Sequence, residues 1–249
     1  MIAVFVAMRP EVATCLGSIG EYTESEIDGY PLTEGRDIII CQTGIGSRSR
    51  MSAEAVISSR SPGIVLSVGV AGGLAPRITA GEVVVCERID HESHRAKGRE
   101  ESVFSDERLI EVAMAAGNGL DLPMSRGSSL TVDEAAWGHA EKAAHHSWKA
   151  HDIVEMESFW IGEVAARHGL PFLCVRTISD TAEDTLLQTG AMDEHGNFDQ
   201  QRLLDYIREH PEHAPLIAAQ SERGRAAFTN LTILMAGLLP PLAQHFAVR

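Results

Sequence analysis

Short apolar runs alternate with amphipathic segments along most of the chain. The runs rich in Val and Ile predict β-strands at Ile2–Ala7, Asp37–Gln42, Gly63–Val70, Glu82–Glu87, Ser128–Val132, Ile153–Met156 and Phe172–Ile178. The amphipathic stretches between several of them predict helices at Arg48–Arg60, Asp106–Ala116, Glu134–His146 and Ser158–His168. Apolar strands separated by helices indicate an α/β fold, with a mainly parallel sheet that is covered on both faces.

The pattern changes in the last quarter of the chain. Thr181–Phe198 is polar and predicts a long loop, after which Asp199 is expected to cap a helix. Ala226–Val248 contains no Lys, Arg, Asp or Glu, although Pro240 and Pro241 interrupt it. Two interpretations of this apolar segment stay open: a C-terminal helix packed on the core, or an apolar ligand wall that also contacts a membrane surface.

Composition narrows the range of partners. The formal net charge of -14 at pH 7 disfavours a broad contact with the phosphate backbone of DNA or RNA. A small anionic ligand held by a few local groups is compatible with that charge. The four cysteines are scattered without a CxxC pair, which is typical of reduced thiols, and no signal peptide pattern is recognisable at the N-terminus. We therefore expect a cytoplasmic protein.

Two glycine-rich turns are predicted at the ends of strands, Thr43–Gly46 and Gly69–Gly73. Open α/β sheets bind ligands at the carboxyl ends of their strands, and glycine allows close approach of the backbone. The first turn resembles half of a dinucleotide-binding fingerprint. Its third glycine position is Ser49, however, and no acid ends the following strand, so an NAD enzyme is disfavoured.

Acidic residues follow three of the predicted strands. Glu11 comes after the first, Glu155 and Glu157 flank a methionine where a strand passes into a helix, and Asp180 ends the last strand. Each one alone is explained by capping of a helix or turn. Acids placed just past several strands of one sheet could also converge on a single crevice.

These segments together are similar to those of the nucleoside phosphorylase/nucleosidase superfamily, specifically its methylthioadenosine/S-adenosylhomocysteine nucleosidase branch. The similar segments are Ala7–Val12, Thr43–Gly46, Gly69–Pro76, Gly81–Val84, Val154–Glu157 and Val175–Asp180. The resemblance implies one domain over residues 1–249, a three-layer α/β/α fold with a mixed, mostly parallel central sheet, and a helical tail from about residue 181. It also implies cleavage of a purine N-glycosidic bond without a cofactor, by a homodimer or higher homo-oligomer.

The resemblance assigns roles to individual positions. Asp180 would protonate or hydrogen-bond N7 of the purine, Glu157 would hold the ribose hydroxyls with Met156 against the sugar, and Glu11 would activate the attacking water. Glycosidic cleavage through an oxocarbenium-like state needs an acid on the departing side and a water-activating carboxylate on the other. Further substrate contacts are implied at Glu155, Ser179, Gly44, Gly46, Val70, Ala71 and Gly72.

Hydrolysis is favoured over phosphorolysis by two positions, one shortly before the second glycine segment and one within it. Where phosphorylases of the superfamily carry an Arg and a Ser that grip phosphate, this chain has Ser67 and Val70. Loss of a bidentate cation and a hydroxyl removes much of what would bind a dianion. Arg9 and Arg48 are alternative cations, so a purine nucleoside phosphorylase stays an alternative. A nucleoside-binding protein without activity is disfavoured by the presence of all three acids.

The chain departs from the methylthioadenosine nucleosidase pattern in two ways. Ala135 and Ala136 stand where an aromatic-aliphatic pair usually contacts the base. The long tail is similar to that of hopanoid-associated members, which remove adenine from adenosylhopane, and Ala226–Val248 would supply the apolar 5′ side that a lipid nucleoside needs. No metal site is expected, since His139, His145, His146 and Lys142 lie on a predicted polar helix and should face solvent.

Overall fold

The computed structural model describes residues 1–93 and 102–246. Its strands are β1 Ile2–Val6, β2 Tyr22–Ile27, β3 Tyr30–Gly35, β4 Ile38–Gln42, β5 Ile64–Gly73, β6 Val83–His91, β7 Val103–Phe104, β8 Met124–Thr131, β9 Ile153–Glu155 and β10 Phe172–Asp180. Its helices are α1 Arg9–Leu16, α2 Ser49–Arg60, α3 Glu107–Gly119, α4 His139–His146, α5 Ser158–Arg167, α6 Gln200–Glu209 and α7 Ala214–Phe246. Short 3₁₀ turns lie at Gly46–Arg48 and Pro211–His213.

The strands form one mixed sheet whose centre is parallel. β1 lies between β4 and β5 and is parallel to both, and β10 runs parallel to β5 on the other side. The sheet then closes on itself, because β10 pairs with β6, β6 with β8, β8 with β9 and β9 with β5. This closure brings the ends of β5, β9 and β10 together over one opening.

Alternate residues of the central strands pack on opposite faces of the sheet. On β1, Ala3 and Phe5 belong to one buried cluster, which includes Val56 of α2 and Val164 of α5. Ile2, Val4 and Val6 belong to a second cluster, formed with α1, α3 and α7. Two helical layers thus enclose the sheet, and the predicted three-layer α/β/α fold with a mixed sheet is confirmed.

The elements that sequence patterns missed lack a local apolar signal. β2 is exposed along almost its whole length and is held by pairing with β3. α1 has little amphipathic character and a proline in its first turn. The helix predicted at Glu134–His146 begins only at His139, because Glu141 accepts hydrogen bonds from the N–H groups of Trp137 (2.7 Å) and Gly138 (3.2 Å) and so caps it there.

The tail contains the predicted loop and the predicted cap. The Asp199 side chain accepts hydrogen bonds from the backbone of Gln201 and Arg202 at the start of α6. The expected interruption at Pro240 and Pro241 is wrong, since both prolines lie inside α7. Buried leucines on both sides of them pack in one core cluster, and this burial offsets the cost of a helical proline, about 3 kcal/mol.

The buried side of α7 shows the structural role of the apolar segment Ala226–Val248 as far as Phe246. Leu231, Leu234, Leu238 and Leu242 are at most 1% exposed and pack against the sheet, so this part is a core helix. By length and composition alone, residues Pro211–Gln244 could span a membrane, and 39% of the apolar window is buried in the protein. Val248 lies outside the described residues.

Candidate active site

A cavity of about 250 Å³ opens at the carboxyl ends of β1, β5, β9 and β10. The residues that line it are Ala7, Met8, Glu11, Ile45, Val70, Ala71, Gly72, Val132, Ala135, Ala136, Trp137, Val154, Glu155, Met156, Glu157, Ser179, Asp180 and Leu186. All four acids that the sequence singled out are among them. The prediction that these acids converge on one crevice is therefore confirmed.

Glu11 is held in place by the backbone of two strands. Its Oε2 accepts hydrogen bonds from the N–H groups of Ala7 (2.9 Å) and Met8 (2.8 Å), and its Oε1 accepts one from Val70 (2.8 Å). Burial raises the pKa of Glu11 above its usual value, while the Arg176 guanidinium and the three N–H donors oppose that rise. A carboxylate held in this way, with its pKa raised, is suited to take a proton from water.

The buried Arg176 of β10 lies close to the other two glutamates of the cavity, Glu155 and Glu157. Its guanidinium lies 2.8 Å from Glu155 Oε2 and 3.6 Å from Glu157 Oε2, and it donates hydrogen bonds to Ser67 and Ser158. Glu155 also accepts hydrogen bonds from the N–H groups of Glu157 and Ser158 and from the Thr131 hydroxyl. The carboxylate of Glu155 is thus committed to the start of α5, which leaves it little capacity for a substrate.

Glu157 keeps one oxygen available to the cavity. Its Oε1 accepts a hydrogen bond from the Gly46 N–H at 2.9 Å, and its Oε2 has only the distant contact with Arg176. Burial raises the pKa of Glu157 to about 8, although Arg176 opposes the shift. A carboxyl group with spare hydrogen-bonding capacity beside Met156 fits a pair of ribose hydroxyls.

Asp180 is paired with a buried lysine. The Lys142 Nζ lies 2.5 Å from Asp180 Oδ2, and the other Asp180 oxygen accepts a hydrogen bond from the Ser179 hydroxyl at 2.7 Å. The expectation that Lys142 faces solvent is wrong, since the residue is 0% exposed. A buried ammonium is stable only with such partners, and the carboxylate supplies the opposite charge.

The rest of the cavity wall is apolar. Ala135 and Ala136 lie in it, as the resemblance implies, and Trp137 beside them brings an aromatic side chain to the same wall. Leu186 reaches it from the loop that follows β10. No residue of α7 lines the cavity in the described part of the chain, so the proposed apolar wall from Ala226–Val248 is not formed by residues up to Phe246.

Of the two glycine segments, only the first forms the predicted turn, although Val70, Ala71 and Gly72 of the second line the cavity. Gly44 and Gly46 adopt positive φ angles of 74° and 79°, as the first turn requires, but only Ile45 between them lines the cavity. The second segment is not a turn, because β5 continues through Gly73 and pairs with β9 and β10.

Among the described residues, the cavity lining offers no cationic side chain that could bind phosphate. Among the described residues that line the cavity, none is Arg or Lys. Arg9 is exposed outside it, and Arg48 pairs with Glu194 at 3.3 Å. Ser67, at the position of a phosphorylase Arg, is buried against Arg176 instead. The arrangement therefore favours water over phosphate as the attacking group.

Sequence patterns missed the two buried cations. Arg176 carried a signal, since a charge inside an otherwise apolar strand requires a buried partner. Lys142 carried none, because a lysine on an amphipathic helix ordinarily faces solvent. Among the described residues, His210, Glu212 and His213 could hold a metal ion, but none of them lines the cavity.

Comparison with known proteins agrees with this geometry. The model of the Phosphorylase superfamily matches residues 1–205. A 5′-methylthioadenosine/S-adenosylhomocysteine nucleosidase of Lysinibacillus sphaericus is 27% identical over 198 residues, 73% of this chain and 86% of that protein. A protein of the same description from Tolumonas auensis is 29% identical over 199 residues, 73% of this chain and 86% of that protein. These relatives are nucleosidases, as was predicted for this chain.

Solved structures share the fold over nearly the whole chain. The Neisseria meningitidis 5′-methylthioadenosine/S-adenosylhomocysteine nucleosidase in complex with methylthio-immucillin-A superposes with a TM-score of 0.77 at 19% identity, covering 96% of this chain and 98% of that one. A futalosine hydrolase mutant of Helicobacter pylori has a TM-score of 0.71 at 18% identity, covering 94% and 97%. The long tail, which the family model does not match beyond residue 205, is included in these superpositions.

Proposed function

The chain belongs to the phosphorylase superfamily, and we propose that it is a purine nucleosidase that hydrolyses a 5′-substituted adenosine and releases adenine. The observation that carries this proposal is the convergence of Glu11, Glu157 and Asp180 on one cavity whose described lining contains no Arg or Lys. The acids provide a base, a sugar-binding group and an acid. The missing cation leaves a phosphate dianion without a partner.

The chemistry follows from how each acid is held. With the purine towards Asp180 and Ser179, a proton on N7 lets the base leave with the electrons of the C1′–N9 bond. Glu157 accepts hydrogen bonds from the ribose hydroxyls and places C1′ near Glu11. Glu11 takes a proton from water as the water oxygen bonds to C1′, and the electron-poor sugar is stabilised by the surrounding carboxylates.

The test is adenine release from a panel of 5′-substituted adenosines, with and without phosphate, read by chromatography. We expect adenine and a free ribosyl product at equal rates in both conditions. A strict requirement for phosphate, with a ribose 1-phosphate product, would overturn the hydrolase proposal in favour of a phosphorylase. Binding of the nucleosides without any turnover would instead support a binding protein.

For the 5′ group, we propose an apolar substituent of the hopanoid class, as in adenosylhopane. The support is the resemblance of the tail and the apolar wall of the cavity at Met8, Ile45, Trp137 and Leu186. Leu186 belongs to the same tail segment that carries the resemblance. Since α7 packs on the core, the described part of that helix adds nothing to this wall.

Methylthioadenosine or S-adenosylhomocysteine is the second candidate substrate, favoured by the descriptions of the relatives. The two candidates are separated by kcat/KM for adenosines whose 5′ chain is lengthened stepwise from methylthio to a long alkyl group. A rise with chain length supports the lipid nucleoside. A maximum at methylthio, with a fall for longer chains, supports the second candidate and excludes the first.

We also propose that the protein is cytoplasmic, forms a homodimer or higher homo-oligomer and contacts the membrane surface. The support for surface contact is the exposed side of α7, where Ala226, Thr229, Ile233 and Ala236 carry no charge. Light scattering coupled to size exclusion measures the mass, and flotation with neutral and anionic lipid vesicles measures the contact. A monomer that stays with the soluble fraction in both vesicle preparations would exclude both parts of this proposal.

A further inference from the structure

We propose that Lys142 is a positioning residue that stores the proton which Asp180 delivers to the leaving purine. This inference rests on the proposed nucleosidase function and extends it, because Lys142 acts through Asp180 and not on the substrate. Neither residue type nor spacing pointed to Lys142, which is 38 residues from Asp180 in the chain.

The contacts of Lys142 use its whole donor capacity. Its ammonium group donates to Asp180 Oδ2 at 2.5 Å, to the backbone oxygen of Thr181 at 2.7 Å and to the backbone oxygen of Asp184 at 3.1 Å. An ammonium has three N–H donors, so all of them have acceptors. The side chain is 1% exposed and does not line the cavity. Only the Asp180 partner connects Lys142 to the cavity.

The short contact lets a proton pass directly between Lys142 and Asp180. An ammonium beside a carboxylate holds the same number of protons as a neutral amine beside a carboxylic acid, and both arrangements have zero net charge. A lone acid would need burial alone to keep its proton at neutral pH. In this pair the ammonium keeps the proton within one hydrogen bond of the carboxyl group that faces the cavity.

The proton balance closes over one turnover. As the C1′–N9 bond breaks, Asp180 gives a proton to N7 and receives one from the Lys142 ammonium, and the base leaves as a neutral molecule. Glu11 takes a proton from the attacking water, whose oxygen bonds to C1′. That proton leaves to solvent and a proton returns through the cavity to Asp180 and from it to Lys142, which restores the starting state without any other reactant.

Other charged groups surround the pair without replacing it. The Asp184 carboxylate pairs with Arg223 of α7 at 2.9 Å, and His139 of α4 lies 3.5 Å from Glu183. Across the cavity lie Glu11, Glu155 and Glu157 with Arg176 behind them. Of these groups, none is placed between the Lys142 ammonium and Asp180, whose contact is direct.

The test compares Lys142→Met with wild type in a cycle that includes Asp180→Asn and the double variant, with adenine release as the readout. Methionine has similar length but carries no proton. We expect Lys142→Met to lower kcat/KM by at least about 100-fold and to move the alkaline limb of its pH profile down by at least about one unit. Added to Asp180→Asn, Lys142→Met should cost little more. Lys149→Met, at a partly exposed lysine of the same region that does not line the cavity, is the control and should leave both readouts unchanged.

Several outcomes would overturn the inference. An unchanged pH profile, or additive losses in the double variant, would leave Lys142 with a purely structural role. If Lys142→Met does not fold, Lys142→Arg serves instead: it keeps the cation but cannot give up its proton, so restored activity would exclude proton storage. Absence of adenine release by the wild-type protein would be a failure of the proposed function itself.

Discussion

Arg176 and Glu155 form a buried ion pair at 2.8 Å beneath the cavity, with each side chain only 1% exposed. The pair joins β10 to the end of β9, and the same guanidinium lies 3.6 Å from Glu157. Glu11 is also close enough for the Arg176 charge to influence its pKa. One buried cation thus balances several carboxylates that line the cavity.

Replacing Arg176 by methionine should destabilise the protein strongly. Removal of one partner of a buried ion pair leaves the other charge uncompensated, which costs about 3–5 kcal/mol. The free energy of unfolding from urea titration at pH 7 measures this. The control is Arg167→Met, since Arg167 pairs with Glu54 at the surface and its loss should cost less than about 1 kcal/mol. Equal losses for the two variants would contradict the role assigned to Arg176.

Replacing Asp180 by asparagine should abolish most of the activity. An amide cannot supply the N7 proton, so we expect kcat to fall by about 100- to 10,000-fold, with a much smaller change in KM. Adenine release measures both constants. The matched control is Asp199→Asn at the start of α6, because asparagine caps a helix as well as aspartate does. A rise in KM alone, with kcat unchanged, would show that Asp180 binds the substrate but is not the acid.

The pH dependence of stability should report on Glu157. Its pKa is about 8 in the folded protein against an ordinary value of 4.5, so the folded state holds the extra proton. The stabilisation from that proton is full below pH 4.5 and is lost as the pH rises to about 8. Glu157→Gln cannot ionise, so it should exceed wild type by about 1–4 kcal/mol at pH 8.5 and match it near pH 5.

The same Glu157→Gln variant should lose activity, although it gains stability at high pH. Glutamine at position 157 cannot accept hydrogen bonds on both terminal atoms, so KM should rise at least about 10-fold. Urea titrations at the two pH values, together with KM for the best substrate, measure the two effects. A variant that is no more stable at pH 8.5 than wild type would show that the Glu157 carboxyl does not carry the raised pKa.

Gly69→Ala tests how closely the charged groups pack beneath β5. A Cβ atom at this position would lie 2.2 Å from Arg176 Nη1 and 2.4 Å from Glu11 Oε1, so both groups would have to move. We expect a loss of stability of about 1–3 kcal/mol and a loss of kcat that exceeds the loss in binding. Gly63→Ala, just before the same strand, meets no atom closer than 3.9 Å and should behave as wild type. Unfolding and adenine release measure the two effects.

Much of the fold and of the site could be predicted from local patterns. Apolar runs mark the central strands, because a strand that is covered on both faces has no polar side. Acids that follow such strands must share one edge of the sheet, since parallel strands end on the same side. This predicts the meeting of Glu11, which lies past β1, with Asp180 at the end of β10. Glu157 follows β9, which runs antiparallel to β5, so its place beside them depends on the closure of the sheet.

The hairpin of β2 and β3 could not be predicted in the same way. β2 is exposed along most of its length, so its residues show no alternation between buried and exposed positions. Its structure comes from pairing with β3, and β3 in turn pairs with β4. Hydrogen bonds of the backbone are independent of side-chain type, and they leave no mark in the hydrophobic pattern.

The sequence by itself determined the order of the layers and the edge at which the acids meet. Only the tertiary structure decided what each acid touches, that Glu155 is committed to Arg176 and that Lys142 stands against Asp180. These contacts join segments that are 21 and 38 residues apart. The periodicity of a helix or strand predicts the face on which a residue lies. The groups that this residue contacts depend on how elements that are distant in the chain pack together.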